Sequence, residues 1–175
     1  MNNINVNDWV EMVFRRGQVC TDYMRKWQAA ETKAEKFRVL TDTNSGEWLI
    51  ELDAKGVQLP VDSFCEEYKN FINGKRKVEY PQGYTSVFYC NYNGDITADA
   101  TLVHVLHGNV KINVPEYAFP KIILSNGSKA HITLEKGSRV TIENYGTHDL
   151  EIKVYEGFDP DKLVINNHFK TYEYD

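Results

Sequence analysis

Isoleucine stands at Ile112, Ile122, Ile132, Ile142 and Ile152, a spacing of ten held without slippage. Two residues before each stand Val110, Pro120, Ala130, Val140 and Leu150, and two after stand Val114, Leu124, Leu134, Asn144 and Val154. Apolar residues at the first, third and fifth positions describe a five-residue strand with one buried face, because successive strand side chains point to opposite sides. Turn residues separate the strands: Asn126-Gly127-Ser128, Lys136-Gly137-Ser138 and Tyr145-Gly146-Thr147. The intervening positions His131, Thr133, Thr141, Glu143, Glu151 and Lys153 are polar and expected to face solvent. Leu102 extends the register one unit upstream, which puts His104 where an apolar residue is expected.

Two architectures accept such a unit. In a β-solenoid each unit is one side of a two-sided coil, so residues twenty apart stack: Ile112 on Ile132 on Ile152, and Ile122 on Ile142. In an antiparallel sandwich or jelly roll the same strands are joined by hairpins and Greek-key crossings. Sandwich loops usually differ in length whereas a stacked coil must hold its period, so the spacing favours the solenoid. Strand pairing between positions i and i+10 would refute it. Solenoid ends need caps, for which the helices described next are one source and self-association another.

The composition changes near Lys75 to Gly83, giving a helical part at 1–80 and a β-repeat part at 81–175, an α+β chain. All three tryptophans, Trp9, Trp27 and Trp48, precede the change. Asn7 is the expected cap of a first helix near Asp8 to Arg16, with Gly17 as its stop. Thr21 and Asp22 open the longest helical stretch, where Tyr23, Trp27, Ala30, Ala34 and Phe37 share one stripe. Ser45 caps a third helix carrying Trp48, Leu49 and Leu52 and ending near Gly56. A fourth begins around Asp62, shows Phe64, Tyr68, Phe71 and Ile72, and stops at Gly74. The basic run Lys75-Arg76-Lys77 is read as a solvated linker in preference to a phosphate contact. Tyr84 to Tyr92 is apolar on both faces and expected to be covered on both. Leu163 to Ile165 and Phe169 to Tyr174 are closing strands after the turn Asp159-Pro160-Asp161.

With a net charge of −5 and a pI near 5.6, the chain has no basic field for nucleic acid or an anionic membrane. Met1 to Phe14 carries no basic leader, and no run approaches the ~20 apolar residues of a membrane span. Synthesis in the cytoplasm is therefore expected. Cys20, Cys65 and Cys90 are odd in number and dispersed, and read as small buried hydrophobes of a reducing compartment. His104 and His107 fall on opposite faces of a strand, and His131, His148 and His168 share no ligand spacing, so no metal is expected. Asn91, Asn93, Asp95 and Asp99 lack the spacing of a calcium loop and read as turn chemistry. Glu135, Glu143 and Glu151 are interleaved with Arg139, Lys153 and threonines, as on a solvated β face. No nucleophile elbow, P-loop or dinucleotide fingerprint is present. No catalytic residue and no cofactor is assigned. Tyr84, Tyr89, Tyr92, Tyr172 and Tyr174 serve equally as strand filler or as stacking surfaces for sugar rings or a protein partner.

The phrases Trp27-Gln28-Ala29-Ala30-Glu31, Ile72-Asn73-Gly74-Lys75, Glu79-Tyr80-Pro81-Gln82-Gly83-Tyr84-Thr85-Ser86 and Phe88-Tyr89-Cys90, followed by ten-residue β units, resemble uncharacterised proteins encoded in phages and prophages of gut Bacteroidetes. The resemblance covers most of the chain and implies a virion or phage-accessory role, without assigning any functional residue. The expected function is that of a non-enzymatic structural or assembly protein that contacts itself or other virion proteins. The alternatives are a carbohydrate-binding or adhesive module and, third, a small carbohydrate-active enzyme. The last requires a groove with two carboxylates, one of raised pKa.

Overall fold

The computed structural model describes residues 4–16, 21–42, 45–54, 57, 59–125, 127–147 and 149–168. Gly17, Cys20, Gly56, Asn126, His148 and the segment Phe169 to Tyr174, with Tyr172 and Tyr174, lie outside the described residues.

Five helices come first: α1 (Val6–Arg15), α2 (Thr21–Ala29), α3 (Lys33–Thr41), α4 (Ser45–Ala54) and α5 (Val61–Glu67). Asn5, and not Asn7, caps α1, its Oδ1 accepting from the Asp8 amide at 2.9 Å. The long helical stretch is two helices because Thr32 and Glu35 form a capping box. Thr32 Oγ1 accepts from the Glu35 amide, and Glu35 Oε2 accepts from the Thr32 amide at 2.9 Å. The last helix ends at Glu67, and turns carry the chain on to Asn73 and Gly74, both at positive φ.

The strands are β1 (Val78–Glu79), β2 (Thr85–Thr97), β3 (Leu102–Val114), β4 (Lys121–Leu124), β5 (Ser128–Leu134), β6 (Val140–Asn144), β7 (Leu150–Val154) and β8 (Leu163–Asn167). From β2 onward every pairing is parallel. They build a β-solenoid of about 4 turns. Ile112 lies beside Ile132 and Ile132 beside Ile152, while Ile122 lies beside Ile142, the twenty-residue stacking that the ladder requires. One face of the coil holds the first half of β2, the first half of β3, β4, β6 and β8. The other holds the second halves of β2 and β3, then β5 and β7. Asn91, Asn93 and Asp95 thus lie in no surface turn but in the second leg of the first coil, while Asp99 lies in the connection between β2 and β3.

The upstream register differs from the simple extension. The first coil is short, Ser86 pairing with Leu102, and the second nearly full, Leu102 pairing with Lys121. The chain passes from one face to the other within a single strand, at Asn91 in β2 and His107 in β3, both at positive φ. Gly108 follows at the second corner, where an added Cβ would lie 2.1 Å from the Tyr92 carbonyl oxygen, so only glycine fits the backbone approach. This corner shifts the alternation: Val103 and Val105 face inward beside Ile122 and Leu124, and Leu102, His104 and Leu106 face out. His104 therefore breaks no apolar row; it belongs to the other side of the strand.

That outer side is covered. Phe88, Cys90, Leu106, Ile123 and Tyr145 share one core with Trp9, Trp27, Phe37, Leu49, Phe64 and Tyr68 of the helical part, while the solenoid interior forms a second core. The strands of this face before β8 are buried on both sides, as expected for Tyr84 to Tyr92. The helices lie along the face and do not cap the end of the coil. The first edge is taken instead by β1 and by Asn73, whose Oδ1 accepts from the Cys90 amide at 2.8 Å and whose amide donates to the Phe88 carbonyl at 2.8 Å.

Cys65 and Cys90 form a disulfide between α5 and β2. This corrects their reading as free buried thiols. The two are distant in sequence, and only the docking of α5 on the covered face brings their Cα atoms to 6.0 Å.

Candidate functional site

Where the helices meet the covered face, two polar sites occur, one buried and one partly open to solvent. The first is His104, which no solvent reaches. Its ring stacks on Phe88 at 5.3 Å, its Nδ1 lies 3.2 Å from Ser86 Oγ, and its Nε2 has no hydrogen-bond partner. Gly46 of α4 presses against it, since an added Cβ there would stand 2.5 Å from Nε2. Burial holds the imidazole neutral and pushes its pKa down to about 4, with the Lys121 charge acting in the same direction.

The second site is a charged cluster joining four parts of the chain. Lys121 Nζ of β4 lies 2.7 Å from Glu47 Oε2 of α4 and 3.4 Å from Glu143 Oε1 of β6. Glu143 Oε2 lies 2.7 Å from His168 Nε2, and Asn166 of β8 donates to Glu143 Oε1 at 3.1 Å. The Tyr145 hydroxyl donates to Glu47 Oε1 at 2.8 Å, and its ring stacks on His168 at 4.3 Å. The expectation that Glu143 faces solvent is thereby corrected: β6 lies on the covered face, and its outward positions meet the helical part. Burial opposes ionisation of Glu143, but hydrogen bonds from His168 and Asn166 and the Lys121 charge outweigh it and hold the carboxyl below its ordinary range. Burial works against the Lys121 ammonium too, and Glu47 with Glu143 outweigh that and raise its pKa.

Such a cluster is an ionic clamp between the helical part and the last two coils. Glu47, Glu143 and His168 offer ligand atoms within 4.8 Å of one another, the geometry of a three-ligand metal set among the described residues. The Lys121 ammonium stands between the two carboxylates and neutralises them there. General-acid chemistry would need a carboxyl held protonated, and Glu143 is shifted the other way. Sequence spacing gave no sign of the cluster, because its members come from α4, β4, β6 and the end of β8. Replacing Lys121 with methionine is expected to cost about 1 kcal/mol at pH 7 and less as pH falls below the ordinary carboxylate range, where Glu143 takes up a proton. Denaturant midpoints followed down that pH range measure this.

The other singled-out residues remain apart. His131 pairs with Glu151 at 2.6 Å on the exposed face, and Glu135 accepts from Asn113 at 2.9 Å. Arg76 lies over Phe71, Lys77 pairs with Asp99 at 2.5 Å, and Lys75 donates to the Lys69 carbonyl, so the basic run is engaged locally. Tyr89 is buried, Tyr92 packs on it at 5.1 Å, and Tyr84 stacks on Tyr80 at 4.6 Å. No helix among the described residues is long and apolar enough to cross a membrane.

No family model, curated protein or solved structure matches the chain.

Proposed function

We propose that the protein is a non-enzymatic structural or assembly component that works through protein–protein contacts, the first of them with itself. The observation that carries this reading is the state of the last coil. Val154, Tyr155, Val164 and Ile165 are exposed at 53%, 50%, 46% and 39%, and Leu150, Ile152 and Leu163 beside them are only half-buried. At the opposite end Tyr89, Ile96, Ala98 and Ala100 are buried. An apolar coil end flanked by strand edges is a template for another chain. Phage-component resemblance supports a virion or accessory setting, in which a rigid coil serves as spacer or docking surface.

A carbohydrate-binding reading draws its support from other aromatics than those expected. Tyr117 and Phe119, 61% and 66% exposed, lie in the connection between β3 and β4, and a glycan array is its test. The assembly reading is tested by light scattering. A solution mass at a multiple of the 20.2 kDa chain is expected, and a strict monomer at high concentration would overturn it.

A further inference from the structure

Resting on the assembly reading, we infer that the open coil end binds a second copy of this chain in a closed two-fold dimer, with β7 against β7 and β8 against β8, both antiparallel.

The two ends of the solenoid are unlike. On the covered face the first edge already carries β1 on Thr85 and Ser86, and Asn73 brackets Cys90 with both side-chain atoms. The last edge carries nothing among the described residues: β7 pairs with β5 and β8 with β6. A head-to-tail stack, which generates filaments, needs an open first edge to receive an open last one. With the first edge occupied on the covered face, a head-to-tail stack cannot pair both faces of the coil, whereas a second open last edge offers both, and that contact is isologous and closes at two copies.

The residues of the two strands fit that symmetry. Each is five residues long with isoleucine at its centre, Ile152 in β7 and Ile165 in β8. The two-fold axis this requires runs perpendicular to both faces of the coil and passes the centre of each strand. Around Ile152 the antiparallel register sets Leu150 opposite Val154 of the second copy on the inner side, continuing the apolar core across the junction. On the outer side it sets Glu151 opposite Lys153 of the second copy, and Lys153 opposite its Glu151. A parallel pairing would instead oppose like charges. Both side chains are exposed, Glu151 in its pair with His131 and Lys153 with its ammonium over Tyr155. The helices pack on β2, β3 and β4, and Val164 to Asn167 of β8 remain exposed.

The full chain and its variants are to be compared by sedimentation or light scattering across a dilution series. A dimer is expected. Ile165→Glu, which puts a carboxylate into the apolar junction, is expected to leave monomer. Glu151→Lys is expected to weaken the dimer about tenfold by opposing lysines twice, and Glu151→Lys/Lys153→Glu to restore it. The last pair lies on the exposed outer face, so its readout does not depend on the fold tolerating Ile165→Glu. A trimer, an open-ended polymer, or a dimer indifferent to all three changes would overturn the end-to-end arrangement and leave self-association standing. A wild-type monomer would overturn both.

Discussion

Ile132→Ala is expected to destabilise the protein by about 3–4 kcal/mol, and Ile152→Ala by less than half as much, although both remove the same atoms from the same ladder. Ile132 is 1% exposed and has an isoleucine beside it in the coil before and in the coil after. Truncating it opens a cavity with packed walls on both sides, and the full transfer and cavity terms apply. Ile152 has Ile132 on one side and no described strand on the other, so much of its surface is already wet in the folded chain. Nearest-neighbour stacking is what makes position along the coil matter. Denaturant midpoints at unchanged slope measure the pair. Equal losses at the two positions would contradict a stacked coil that ends at β7, unless a dimer has covered Ile152, and repeating the comparison in the Ile165→Glu background separates the two cases.

The ladder was readable because a solenoid repeats one environment, and a repeated environment selects a repeated residue. Ile112, Ile132 and Ile152 occupy the same place in successive coils, so ten-residue spacing and twenty-residue stacking follow from sequence. Pattern and structure part where the coil departs from its period. His104 looked misplaced because the tight corner at His107 and Gly108 shifts inside to outside, and a backbone of positive φ at a histidine leaves no mark in a hydrophobic pattern. Glu143 looked solvated because alternation says only that a residue faces away from the coil interior. It does not say whether helices lie over that side. The Cys65–Cys90 disulfide and the Glu47–Lys121–Glu143–His168 clamp were hidden for the same reason, each depending on how the helical part docks on the coil. Within the helical part, the stripe from Tyr23 to Phe37 was real as a burial pattern but not as one helix, because the Thr32–Glu35 box restarts the chain direction in its middle.

Acid is expected to loosen that docking through His104. Its folded-state pKa is pushed down to about 4, below the ordinary 6.5, so between those values the unfolded chain binds a proton that the folded chain refuses. Stability therefore rises with pH across this window: it is full above 6.5, falls as pH drops toward 4, and loses about 3 kcal/mol in all. Hydrogen bonding cannot rescue the charged ring. Nε2 faces Gly46 without an acceptor, Nδ1 has only the Ser86 hydroxyl and a compensating backbone interaction at Val87, and the Lys121 ammonium opposes a second positive charge. Glu143 acts in a lower window, its depressed pKa contributing stability that is lost only as pH falls below the ordinary carboxylate range. His104→Leu removes the titration while keeping an apolar body against Phe88. The variant is expected to hold one unfolding midpoint from pH 7 to pH 5 while the parent loses stability over the same interval. Parallel pH profiles for the two proteins would show that His104 is not the group responsible. Because the ring sits between α4 and the coil, the loss should appear first as exposure of the helical part. Hydrogen-exchange protection at pH 5, corrected for the slower intrinsic exchange there, is then expected to fall in α4 and α5 ahead of β5 and β6, whose inward rows carry no titratable side chain.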